Sequence, residues 1–165
     1  MKEQLLNDFY GYVSDLLGHD TIKSMDQYIQ HGDISCLQHC IGVAVFSLIL
    51  VRVWKIKCDE RSLVRGAILH DYFLYDWHDG AKWHRFHGFK HAKIALENAE
   101  RDFELNDIER EIIRKHMWPL NAAPPMCKEA WVVNVVDTYC STLETAGRFK
   151  ILKPLQQMVV NATAY

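Results

Sequence analysis

The sequence lacks any Cys-x-x-Cys pair, any strong net charge, any repeat and any apolar run long enough to cross a bilayer. The five cysteines, Cys36, Cys40, Cys58, Cys127 and Cys140, are odd in number and do not outline a disulfide framework. Met1 opens a polar segment rather than a signal peptide, so the expectation is reduced thiols in the cytoplasm. A net charge of −2 supplies no global field to recruit duplex nucleic acid or an acidic membrane. The longest uncharged apolar run, Cys40 to Val51, has 12 residues, whereas a membrane span needs about 20. It reads as a core helix buried on nearly all sides. Val and Ile cluster without period-two alternation, so no strand is expected. What is present is an apolar content of 49% in 165 residues, enough for one domain with a substantial core.

The patterning predicts helices joined by short loops, an all-α fold. Leu5, Phe9, Val13 and Leu16 form one stripe, ended by Gly18. A short helix is expected over Thr21 to Gln30, stopping at His31-Gly32. Asp33 reads as the N-cap of the central helix, which runs to about Lys55, and Asp59 as the cap of the next, which ends near His70-Asp71. Asn106 and Glu109 form a capping box before Ile108, Ile112 and Ile113, in a helix that ends at Pro119. Glu129 to Thr145 predicts a further helix, terminated by Gly147, and the tail a short one from Pro154. The long irregular stretch from Tyr72 to Lys90 holds Trp77, His78, Trp83, His84, Arg85, His87 and Lys90. A loop of that length in a small helical domain is often functional.

His70 and Asp71 are the most informative residues. They close an apolar helical stretch, Leu63 to Leu69. An imidazole and a carboxylate at a buried helix end are costly unless something pairs with them, and a metal ion removes the penalty of both. Asp137 sits mid-helix within Val-Val-Asn-Val-Val-Asp, a position that is costly for a carboxylate. His39, His91 and His116 are each explicable alone, as a core histidine, a surface cap and a complement to a helix dipole. Together they let four or five helices each present a nitrogen or oxygen ligand inward. Such a set without thiolate suits Fe, Mn, Co, Ni or Zn, with Mg an acceptable substitute, as one or two ions. Asp71 is the better candidate to bridge two ions. A zinc site at Cys36, His39 and Cys40 would draw on a single helix and is the weaker reading.

The order His39, His70-Asp71, Asp137 resembles the HD superfamily of metal-dependent phosphohydrolases, and His91 and His116 resemble the two further histidines of its dinuclear subset. The resemblance covers about residues 33–145 of a single domain spanning 1–165. It implies a compact helical bundle, with His39, His70, Asp71, His91, His116 and Asp137 as metal ligands and His70 and Asp71 at the catalytic centre. Ala92 stands where many relatives have proline after the helix-opening histidine. Thr138 stands where relatives often carry lysine after the final aspartate. Met117-Trp118-Pro119-Leu120 replaces the Gly-Tyr-Pro element of the diguanylate-hydrolysing branch, so that substrate is not supported.

The resemblance implies hydrolysis of a phosphomonoester, phosphodiester or nucleotide by metal-activated water. Lys82, Arg85 and Lys90 are candidate phosphate contacts, His84 and His87 candidate substrate contacts or proton donors, with His87 also a rival to His91 as ligand, and Trp118, Trp77 or Trp83 a stacking surface for a base. The expected partner is a small phosphorylated molecule, with no membrane and no duplex nucleic acid; a homo-oligomer is compatible with the chain. Two alternatives share the scaffold: a dinuclear iron oxygenase and a non-enzymatic metal-binding regulatory domain.

Overall fold

The computed structural model describes residues 2–77 and 87–147. Helix α1 (Lys2–Leu17) turns Phe9, Val13 and Leu16 into the core, as its apolar spacing requires. Helix α2 (Asp20–Ser24) follows, and a 3-10 turn (Met25–Gln27) leads into strand β1 (Ile29–His31), paired antiparallel with β2 (Ile34–Ser35). The expected helix over 21–30 is therefore cut short, and a two-stranded ribbon takes its second half. Gly32, at φ +58°, makes the turn between the strands. Sequence patterning missed this ribbon because two- and three-residue strands leave no alternation to detect.

The ribbon also moves the start of the central helix. Helix α3 (Cys36–Val53) is capped by Ser35, not Asp33. The Gln38 backbone N–H donates to Ser35 Oγ, and the Ser35 N–H donates to Gln38 Oε1, both at 3.2 Å. Asp33 is exposed. By length and composition α3 could cross a membrane, but 67% of it is buried within the fold. It packs against α4 (Glu60–Leu69) and α7 (Lys128–Thr145) as the core helix expected from its sequence.

Helix α4 begins at Asp59, whose carboxylate accepts from the Ser62 N–H at 3.0 Å. Its Gly66 lies against α6 (Asp107–Lys115): a Cβ at that position would sit 2.6 Å from Ile112 Cδ1 and 3.0 Å from Ile112 Cβ. Buried Arg65, one residue earlier, donates to Glu109 of α6 at 2.7 Å and pairs with Asp15 of α1. Helix α5 (His87–Asp102) starts one turn before His91, so His91 does not open it. Asn98 of α5 donates to the carbonyls of Tyr72 and Phe73, each at 3.1 Å, and so fixes the chain that leaves α4. Asn106 and Glu109 cap α6 as expected, and Gly147, at φ +65°, ends α7. The described residues thus form an all-α bundle with one small ribbon. The expected tail helix from Pro154 lies outside them.

Candidate metal centre

Five helices deliver six ionisable side chains to one buried point. His39 lies in the first turns of α3, His70 is the C-cap of α4 with Asp71 next to it, His91 lies in α5, His116 is the C-cap of α6, and Asp137 is mid-α7. Each is at least nine-tenths buried. They form two triads of possible ligand atoms, His39–His70–Asp137 and Asp71–His91–His116, each lying within 4.8 Å of one another.

Asp71 faces both triads. Its Oδ2 is 3.4 Å from His70 Nε2 and 3.8 Å from His39 Nε2. Its Oδ1 is 3.2 Å from His91 Nε2 and 3.4 Å from His116 Nε2. Asp137 Oδ1 closes the first triad, 3.0 Å from His39 Nε2 and 3.7 Å from His70 Nε2. One carboxylate thus lies within 4 Å of histidines of both triads.

The other ring nitrogens show how the imidazoles are held. His70 Nδ1–H donates to the Ala67 carbonyl at 2.7 Å, and His116 Nδ1–H to the Ile113 carbonyl at 2.9 Å. Both bonds reach back three residues, a consequence of placing each histidine at a helix C-cap where carbonyls are unfilled. His39 Nδ1–H donates to Glu144 Oε2 at 2.9 Å. In each ring Nε2 is left to face the centre, the orientation a metal-binding imidazole needs.

The fit to a metal rests on what this leaves unmet. His70 Nε2 and Asp71 Oδ1 are buried without a hydrogen-bond partner. His91 Nε2 and His116 Nε2 approach each other to 2.8 Å, although the His116 ring already donates through its other nitrogen. Native interiors rarely leave buried atoms such as His70 Nε2 and Asp71 Oδ1 without a partner, and a cation accepting their lone pairs would satisfy both. The surroundings also bias the charge of each group. Burial opposes charge on His39, but Asp137 and Glu144 outweigh it and hold the imidazole pKa well above its ordinary value. His70 is likewise raised against burial, chiefly by Asp71. Burial opposes ionisation of Asp71 and Asp137 too, yet the histidines around them keep both carboxyls well below the usual range. Burial lowers His116, with Asp71 opposing. Histidines and carboxylates gathered at one buried point are groups a divalent ion can hold together.

Two contributors were not read from the sequence. Glu144 lies seven residues beyond Asp137, two turns along the same face of α7, a signal the periodicity contained. Gln30 donates through Nε2 to Asp71 Oδ2 at 2.6 Å; it lies on β1, where a helix was expected, so no pattern pointed to it.

The centre opens into a cavity of about 850 Å³. Trp77, Met117 and Gly88 line it, with Gln30 at one side and the outer face of α7 at another. Trp118, expected as a stacking surface, is not among the lining residues: its ring packs edge-on against Trp131, with centroids 4.9 Å apart. Lys90 is exposed on α5 and also lies away from the cavity wall. Lys82, Arg85, Trp83 and the His87 side chain lie outside the described residues, as do His78 and His84. Cys36, Cys40, Cys58, Cys127 and Cys140 are all unpaired.

The family model of the HD domain matches residues 36–142. No curated protein and no solved structure matches the chain significantly. The family model covers well over half of the sequence and spans every residue from His39 to Asp137 of the two triads, and on that match the chain belongs to the HD-domain family.

Proposed function

We propose that this protein is a metal-dependent phosphohydrolase acting on a small phosphorylated molecule. The observation that carries the reading is the pair of buried triads sharing Asp71 at the floor of an open cavity. Divalent ions at such a centre supply an activated water at neutral pH and charge stabilisation at phosphoryl oxygens. His39, His70 and Asp137 would hold one ion, His91 and His116 a second, and Asp71 both. Glu144 fixes the His39 ring, and the Ala67 and Ile113 carbonyls fix those of His70 and His116. Trp77 and Met117 wall the cavity beside the centre. His91 and His116 line the cavity as well as facing Asp71, so the second ion would lie at the cavity side of the centre. Nitrogen and oxygen donors alone favour Mn, Fe, Co, Ni or Zn over a thiolate-loving ion.

The test is metal analysis of protein purified without chelator, followed by phosphate release from nucleotides, sugar phosphates and phosphodiesters with Mn, Co, Ni and Mg added. Metal-dependent release that disappears in Asp71→Ala is the expected result. A protein that binds iron, consumes dioxygen and releases no phosphate would replace this reading with the oxygenase one.

A further inference from the structure

The cavity wall away from the metal triads has an unusual hydrogen-bonding character. Thr138, Ser141, Thr142 and Thr145 occupy successive turns of one face of α7 and all line the cavity. Three of the four hydroxyls have already used their single proton. Thr138 donates to the Asn134 carbonyl at 2.9 Å, Thr142 to the Thr138 carbonyl at 2.7 Å, and Ser141 to Asp137 Oδ1 at 3.2 Å. In that arrangement lone pairs are what these three side chains offer a ligand, and donating to it instead would break a bond within α7. Gln30 adds to this: one of its two amide N–H groups is given to Asp71, and its Oε1 is buried without a hydrogen-bond partner in a residue that lines the cavity. Among the described lining residues there is no lysine or arginine.

A phosphate group carries only acceptors at neutral pH and finds no cationic side chain among the described residues of this wall. The wall fits a neutral group rich in hydrogen-bond donors. The stretch from Thr138 to Thr145 covers seven helical steps, roughly 10 Å, long enough for several such donors in a row. We propose that the substrate is a phosphorylated polyol: its phosphoryl group lies at the histidine–aspartate centre, and its hydroxyls donate to Thr138, Ser141, Thr142 and Gln30. This assignment rests on the phosphohydrolase reading and narrows its substrate class. It also accounts chemically for Thr138 beside Asp137. A threonine there returns an acceptor to the hydroxylated end of the ligand, a role an ammonium cannot fill.

The experiment compares two six-carbon phosphomonoesters that differ only in their hydroxyls, sorbitol phosphate and hexyl phosphate, using the metal-loaded full chain. Adenosine monophosphate serves as a third substrate. A site built to accept hydroxyl protons discriminates strongly against an analogue without them. The expected kcat/KM ratio of sorbitol to hexyl phosphate is on the order of a hundredfold. Thr142→Val, which replaces a hydroxyl by a methyl at an exposed position, should reduce that ratio about tenfold, through KM rather than kcat. Equal rates on the two esters, a preference for adenosine monophosphate, or a ratio unmoved in Thr142→Val would overturn the polyol assignment and leave hydrolysis itself standing. If no ester is hydrolysed, the phosphohydrolase reading fails. Calorimetric binding of sorbitol phosphate against hexyl phosphate then decides the wall separately: tighter binding of the hydroxylated compound supports it, and equal or weaker binding refutes it.

Discussion

Glu144 shows how much one side chain outside the ligand set can determine. Its carboxylate accepts a hydrogen bond from His39 Nδ1–H, so that Nε2 faces Asp137 and Asp71. Glu144→Gln keeps the shape but turns a charged acceptor into a neutral amide that can present either an oxygen or an N–H. Metal affinity should fall about 10- to 100-fold, the usual cost of losing such a partner. Metal titration, with circular dichroism to confirm the fold, measures this; unchanged affinity would mean that Glu144 only fills space.

Protons compete with the metal at the same residues. His39 and His70 have raised pKa values, and a metal binds only the neutral ring. Loading must therefore release protons, and affinity must rise with pH while these two histidines deprotonate. His116, shifted downward, is already neutral above the ordinary imidazole range near pH ~6.5 and adds no competition there. Calorimetry in buffers of different ionisation enthalpy should show net proton release near neutral pH. A pH-independent affinity with no proton release would contradict the assigned ligands.

At the scale of elements, helix ends are what place the ligands. His70 and His116 occupy C-caps, and the carbonyls they bond are ones the helix leaves unfilled. Two substitutions test this layer. Ser35→Ala removes the side-chain half of the α3 capping box and should cost about 1 kcal/mol in urea unfolding, whereas Asp33→Ala should cost almost nothing. The reverse result would restore Asp33 as the cap and put the ribbon in doubt. Gly66→Ala pushes a methyl group into Ile112 and should destabilise by about 1–3 kcal/mol, because the contact includes Ile112 Cβ and not only a mobile tip. Since α4 ends at His70-Asp71, its metal affinity should fall as well.

The elements also show what sequence could reveal. Asp59 and the Asn106–Glu109 box were legible because capping is local chemistry over four residues. The ribbon was not, because Gln30 and Ser35 are set by pairing across a turn rather than by their own neighbours. Helix α5 begins at His87, a turn before the expected start at His91; no cap residue marked that boundary in the sequence.

For the whole molecule, chain order proved the more informative signal. Apart from the adjacent His70 and Asp71, the residues His39, His91, His116 and Asp137 lie far apart in sequence, and nothing local requires them to meet; the fold brings all six together. The cavity wall was less legible. Lys90 and Trp118 were suggested by residue type, but type does not say which face of a helix turns inward, and neither lines the cavity. The hydroxyl face of α7 carries no strong motif and emerges only from the packing.

The most direct test of the account is the number of metal ions bound per chain, measured by elemental analysis in the wild type, His91→Ala and Asp71→Ala. If Asp71 joins two triads, the wild type should hold two ions. His91→Ala should hold one, because the triad of His39, His70 and Asp137 remains. Asp71→Ala should lose the second ion and weaken the first. One ion in both the wild type and His91→Ala, or full loading of Asp71→Ala, would contradict a shared two-ion centre.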